Sequence, residues 1–302
     1  MNCQQPFVSI AIPAYKKEYL KETIISILNQ DYTNFELIIV NDKSPANLDE
    51  IVKQFKDKRI RYFKNSENLG KKSIVYNWNR CLSYAQGEFF VLICDDDIMK
   101  PDFISCLLDL SFKYPQCNVF RARRELYNEV TQHTQEDPFW PMYETYNDFL
   151  SNTILGKRKH TISEFLYRTK FIKSKGGYDI YPVGFYADDA SILKFSQQGG
   201  IVCSSEILLT FRKSLYHISS PKIQNFQKVK AALKFYQWLS SIAYKTEQKI
   251  TIMNQLDYDL YEYFINTSSL KETLKIIFYV PSPIWGYRKK LICLLEKYIT
   301  KK

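Results

Sequence analysis

Three consecutive carboxylates, Asp95, Asp96 and Asp97, close an apolar run that reads Phe89-Phe-Val-Leu-Ile93-Cys94. Adjacent carboxylates repel one another and cost stability unless a cation neutralises them. A divalent metal carrying a phosphate group answers that requirement. A polar loop ending in a helix cap is the plainer alternative, because Pro101 and Asp102 look like a helix start. A second acidic pair, Asp188-Asp189, opens a helical stretch that reaches about Gln197. The dipole of a helix N-terminus favours acids there whatever else they do.

The elements that must position these acids follow from periodicity. The run before Asp95 does not alternate and is rich in aromatic and branched residues. That pattern suits a strand buried on both faces of a mostly parallel sheet. The three Asp then sit just past its carboxyl end, where open α/β sheets bind ligands. Further strands are expected at 8–14, 35–40 and 60–63, with helices over 19–30, 48–55 and 73–85. Leu20, Ile24, Ile27 and Leu28 form the apolar stripe of the first helix. Strands alternating with helices at this spacing imply parallel βαβ units. Beyond Pro101 the pattern predicts a helix to about Lys113, a strand over 119–127 and a loop over 131–147. A strand over 201–212 follows, then helices beyond Ser220 broken by Pro281 and Pro283.

Composition narrows the class. At 302 residues, 45% hydrophobic and 25% charged, the chain is long enough for a sizeable core and ordinary for a folded soluble protein. Aromatic content of 16% suits a cleft that stacks bases or sugars, or simply a well-filled core. The net charge of +10 is partly local: residues 271–302 hold eight basic residues against Glu272 and Glu296. Such a tail fits an anionic membrane surface, and equally a solvated helix face. The Cys count is odd, the spacing irregular and no C-x-x-C occurs, which reads as free thiols in a reducing compartment. Residues 1–6 carry no signal-peptide pattern and no run of 18 apolar residues appears, so a cytoplasmic chain without a membrane span is expected.

Several segments in order resemble family 2 glycosyltransferases, inverting enzymes of the GT-A fold. They are Val8-Ser-Ile-Ala-Ile-Pro-Ala-Tyr15, Ser26-Ile-Leu-Asn-Gln30, Phe35-Glu-Leu-Ile-Ile-Val-Asn-Asp42-Lys-Ser44, Asn68-Leu-Gly70, Ala85-Gln-Gly-Glu-Phe89 and Asp95-Asp-Asp-Ile-Met-Lys-Pro101. Gly176-Gly-Tyr-Asp179 and Asp188-Asp189 fit the acceptor half, so the likeness covers about residues 7–213. It implies a Rossmann-like α/β fold, a mostly parallel central sheet flanked by helices, with a C-terminal helical extension. The expected division is 1–113 for the nucleotide-sugar half, 114–213 for the acceptor half and 214–302 for the extension. It implies a nucleotide-sugar donor, a UDP-sugar by preference, and a saccharide or lipid-linked saccharide acceptor in bacterial surface polysaccharide assembly.

The resemblance also implies roles. Asp42 meets the nucleobase, where a carboxylate can accept from an imide N–H; capping the helix near Leu48 is its plainer use. Pro13, Tyr15 and Asn68 line the donor pocket. Asp95 takes the ribose, and Asp96 and Asp97 the Mn2+ or Mg2+ of the D-x-D region. Cys94 stands where the family often has its first acid. Asp189, paired with Asp188, is the general base, because adjacent carboxylates raise one another's pKa. Arg212, with Lys213 and His217, is a candidate diphosphate contact, as are Lys71 and Lys72. The substitutions at Cys94 and Asp188 keep open a catalytically inactive nucleotide-binding subunit. No nucleic acid is expected, since no nucleic-acid motif appears. The basic apolar C-terminus either lies on the inner face of the membrane or packs on the enzyme's own body.

Overall fold

The computed structural model describes residues 5–214, 224–267, 269–281, 284 and 286–299. His217, Pro283 and Trp285 lie outside the described residues. The chain begins β1 (Val8–Ala14), α1 (Leu20–Leu28), β2 (Phe35–Asn41), α2 (Leu48–Val52), β3 (Ile60–Lys64), α3 (Val75–Tyr84) and β4 (Phe89–Leu92). β1 pairs in parallel with β2 and β4, and β2 in parallel with β3. Both faces of β1, β2 and β4 are covered, which is why β2 and β4 are largely apolar without alternation.

The middle of the chain continues as β5 (Ile98–Met99), α4 (Phe103–Lys113), β6 (Val119–Asn128), β7 (His133–Glu136), β8 (Tyr143–Glu144), α5 (Tyr146–Ile154), β9 (Phe165–Arg168), α6 (Thr169–Ser174), α7 (Ala187–Ser196) and β10 (Ile201–Lys213). The sheet order is β3-β2-β1-β4-β9-β6-β10-β5, with β7 on β6 and β8 on β10. β1 to β4 pair with one another only in parallel, and β6 and β10 add a further parallel ladder in the second half. β9 runs antiparallel to both β4 and β6 and joins the two halves into one sheet. The loop expected over 131–147 instead contains β7 and β8. All four residues of β7 are exposed, so no apolar alternation marks it, and its ladder to β6 alone makes it a strand.

The helices α8 (Asn225–Ile242), α9 (Thr246–Ile265), α10 (Leu270–Tyr279) and α11 (Tyr287–Ile299) complete the chain. Successive strand residues point to opposite faces, so Leu37 and Ile39 face one apolar layer and Ile38 and Val40 the other. The first layer is closed by Ile24 of α1 and Phe103 and Leu107 of α4. The second is closed by Val75 and Trp78 of α3, Ile192 and Phe195 of α7, and by Val229, Leu256, Phe264 and Ile276 of the C-terminal helices. Those helices therefore share one core with β4.

Candidate active site

The carboxyl ends of β1, β2 and β4 meet at one edge of the sheet, and the predicted donor residues collect there. Tyr15 follows β1, and Asp95 Oδ2 accepts the backbone N–H groups of Tyr15 and Lys16 at 2.7 Å each. The Tyr15 carbonyl accepts from Ser44 Oγ at 2.5 Å, which ties β1 to the loop after Asp42. Pro13 lies one residue before the end of the same strand, in register with Val40. Asp42 is buried; its oxygens accept from Asn65 Nδ2 (2.8 Å) and from the N–H of Leu69 (2.8 Å) and Gly70 (2.7 Å). Three of its roughly four acceptor positions are used inside the fold. Asp42 thus shapes the 68–70 turn rather than capping α2, whose N-cap is Asn47. Asn68 caps that turn by accepting from the Lys71 N–H at 2.9 Å.

The three Asp are all buried, and each has a different environment. Asp96 pairs with the Lys16 ammonium, which also lies 3.7 Å from Asp95 Oδ1. Burial opposes a charge on Lys16, but Asp95 and Asp96 hold its pKa well above the ordinary range. Asp97 Oδ2 accepts from Ser163 Oγ at 2.5 Å and Oδ1 accepts from the Arg212 N–H at 3.1 Å. Burial and the neighbouring Asp96 push Asp97 up to about 7. Asp95 is raised to about 6 by burial, with Lys16 pulling against it. Arg212 also donates through Nε to the Asp96 carbonyl (3.2 Å) and pairs with Glu22 (2.6 Å), lying 4.1 Å over the Tyr19 ring. Asp102 stands at the N-cap of α4, as the plainer reading expects, and the triplet lies ahead of that cap.

Cys94 Sγ and oxygens of Asp96 and Asp97 lie within 4.8 Å of one another. Burial first, then Asp97 and Asp96, keep the Cys94 thiol protonated. That leaves an oxygen donor set, one of whose carboxylates Lys16 already pairs, and oxygen donors suit a hard divalent cation such as Mg2+ or Mn2+.

The second acidic pair occupies the first turn of α7. Burial pushes Asp188 up to about 6, against backbone N–H groups that favour its charged form. Burial and Asp188 push Asp189 upward as well; its side chain keeps 34% exposure, so solvent tempers that push. His160 Nε2 stands 3.3 Å from Asp189 Oδ1. Burial, Arg121 and Arg124 drive His160 down to about 3, so at neutral pH it is an uncharged imidazole beside the carboxylate. Both its nitrogens are buried without an aligned hydrogen bond.

One short segment touches both clusters. His160 reaches Asp189, while Ser163, three residues on, donates to Asp97 and accepts from the Cys94 N–H at 3.0 Å. Three residues span at most ~11 Å, so the two acidic groups are tied to one short segment. Glu164 fixes the segment from below: it is fully buried, accepts from Arg121 Nε at 2.6 Å and lies 3.1 Å from Arg124 NH1. Asp137 accepts from Arg121 (2.7 Å) and Arg124 (2.9 Å).

The approach to α7 is set by unusual backbone. Val183, Gly184 and Tyr186 have φ of 51°, 80° and 62°. The Tyr186 ring stacks on Phe235 at 4.8 Å, and its hydroxyl donates to Asp259 Oδ2 (2.7 Å) and lies 2.9 Å from Tyr263 Oη. In the Gly176-Gly177-Tyr178-Asp179 turn, Gly177 has φ 73°, and a Cβ there would come within 2.4 Å of Asn79 Oδ1. Asn79 brackets Tyr178 by bonding its N–H (2.8 Å) and its carbonyl (2.9 Å), fastening this half to α3.

Sequence reasoning missed Lys16, His160, Ser163, Glu164 and Tyr186. Only His160 carried a signal, being one of three His in the chain.

Residues 9–172, more than half of the chain, match Glycosyl transferase family 2, and the chain belongs to that family. It is 30% identical over 190 residues to the Escherichia coli (strain K12) protein WcaA, whose name provisionally assigns it to colanic acid biosynthesis as a glycosyl transferase. That match takes in 58% of this chain and 65% of WcaA. The chain spans less than two thirds of the length of the curated relatives it matches first. Among solved structures, S. aureus TarS 1-349 in complex with UDP-GlcNAc superposes with a TM-score of 0.66 at 16% identity, over 93% of this chain and 83% of that one. The mannosyltransferase PcManGT from Pyrobaculum calidifontis, in complex with GDP-Man and Mn2+, gives 0.58 at 13% identity, over 99% and 81%. These likenesses establish the GT-A fold.

Proposed function

We propose that the chain moves a sugar from a nucleotide-activated donor, a UDP-sugar by preference, to a saccharide hydroxyl with inversion, in the assembly of a surface polysaccharide. The observation that carries this reading is the segment 160–164, which links the acids after β4 to those opening α7. A donor bound over the first group would present its anomeric carbon toward the second. The bound nucleotides of TarS and PcManGT, and the name of WcaA, point the same way.

In this reading Tyr15, Pro13 and the Asp42-shaped turn cradle the nucleoside, and Arg212 stands beside the diphosphate. Asp96 and Asp97 would hold Mn2+ or Mg2+, which when bound neutralises charge building on the leaving diphosphate. Asp189 accepts the acceptor hydroxyl proton as that oxygen bonds to the anomeric carbon and the bond to the diphosphate breaks. One displacement inverts the configuration. Asp188 and neutral His160 position that carboxylate. An inactive subunit would not need this arrangement.

The test is calorimetric titration of UDP, GDP and CDP, with and without Mn2+, on wild type and Asp96→Asn. UDP binding that requires both the metal and Asp96 is expected. Absence of binding by every nucleotide would sink the proposal.

Peripheral membrane attachment belongs to the same reading. Among the described residues no helix is long and apolar enough to cross a membrane. Leu274 and Phe278 are exposed on α10, Phe278 by 84%, beside exposed Lys271 and Lys275. Lys290 and Lys297 are buried instead, bonded to the Val280 carbonyl (2.6 Å) and Thr273 Oγ1 (2.6 Å), so the basic surface is smaller than the tail's composition suggests. Flotation with anionic lipid vesicles should capture the full chain and lose it on removal of 271–302; equal capture would remove the idea.

A further inference from the structure

We propose that the groove between the start of α3, the 180–183 loop and α8 is an acceptor subsite for an anionic saccharide, one bearing carboxylate or phosphate groups. This rests on the reading of Asp189 as the base. The groove has a volume of about 650 Å³ and is lined by Lys71, Lys72, Tyr76, Tyr181, Val183 and Lys230 among others, with no acidic residue among the described residues that line it. Among the described residues none of the three lysines pairs with a carboxylate. Lysines gathered without counter-charges repel one another, and an anion between them relieves that repulsion.

The groove is built. Ser73 Oγ donates to the Tyr181 carbonyl at 2.7 Å, joining the wall before α3 to the wall before α7. Gly184 presses against Ile74, whose Cγ1 would be 2.4 Å from a Cβ at that position. Lys234 donates to the Ile180 carbonyl (2.7 Å) and lies 4.4 Å over the Tyr181 ring, fixing the rim to α8. The Lys230 ammonium rests 4.7 Å over the Phe226 ring. Tyr76, 39% exposed, offers an aromatic face of the kind on which a sugar ring packs.

The chain itself links the groove to the base, because its 180–183 wall runs within five residues into Asp188. A saccharide whose charged groups sit on the lysines would lead its hydroxyl end toward Asp189. A neutral saccharide would leave the three lysines without a counter-charge.

Titration of the full chain tests this with three probes: tetragalacturonate, maltotetraose phosphorylated at O6, and maltotetraose. Wild type and the Lys230→Glu variant are compared at low and high salt, with UDP plus Mn2+ titrated into both. At least one anionic probe should bind wild type more tightly than maltotetraose, and more weakly in high salt. The variant should weaken that binding about tenfold or more and hold UDP unchanged. Whichever anionic probe responds identifies carboxylate or phosphate as the partner group. Anionic probes that bind wild type no better than maltotetraose would overturn the proposal, as would a variant that keeps their affinity. A variant that loses UDP affinity instead would assign Lys230 to the donor and overturn it too. A wild type that holds tetragalacturonate through Lys230 but binds no nucleotide would refute the donor reading and leave the anionic groove supported.

Discussion

Asp97 is a carboxylate that the fold holds against its own charge. Its pKa of about 7, and about 6 for Asp95, exceed the ~3.9 of an unfolded Asp. The folded chain therefore binds more protons than the unfolded chain between those values, and stability falls as pH rises through that window. Asp97→Asn should raise Tm at pH 7.5 without metal, by a few degrees, and by less at pH 4.5. An Asn can still accept from the Arg212 N–H and donate to Ser163 Oγ. Differential scanning calorimetry reads this; a variant less stable at both pH values would contradict it. At the second cluster the sign follows from the proposed role, since a carboxylate base works only when deprotonated. Transfer rates should fall about tenfold per unit of pH below the pair's titration, which begins near 6 at Asp188. Asp189→Asn should cost roughly 10²–10⁴ in kcat and leave UDP affinity unchanged, as product-release kinetics beside calorimetry would show. The acids were legible because three Asp after an apolar run have few uses. Their partners were not. Lys16 and Ser163 matter through contacts 80 and 66 positions away, and nothing in their own neighbourhood announces that.

At the scale of elements, α7 is aimed by a tyrosine. Tyr186 takes a left-handed conformation that costs a non-glycine residue about 1 kcal/mol or more, and its stacking on Phe235 and bond to Asp259 offset this. Both anchors lie beyond the 9–172 family match. Tyr186→Phe keeps the ring and removes the hydroxyl. Stability should drop by about 1 kcal/mol, while kcat should drop about tenfold with the donor KM unchanged. A loss confined to Tm would make Tyr186 merely structural. The strands and helices of the first half were readable almost to the residue, because each is apolar on the faces it buries. β9 was not: four residues with no alternation, made a strand by the edges of β4 and β6.

For the whole molecule, the helices after β10 complete the core rather than decorate it. Val229, Leu256 and Phe264 pack in the same apolar layer as Phe90 and Leu92. A chain ending at Lys213 should therefore lack a cooperative unfolding transition and accumulate as insoluble protein; a soluble fragment with a sharp transition would refute this. That these segments are helical was plain from their pattern, whereas what they cover depends on distant strands. β9 has a practical consequence for anyone recombining such enzymes. The apparent seam at 113–114 is no place to splice, because the strand that closes the open edge of the first half, β4, is encoded some fifty residues later. A graft that brings in foreign acceptor specificity must carry its own version of 160–168, cut to fit Phe89–Val91. Otherwise it would leave the host sheet with a raw edge and both acid clusters without their common tether.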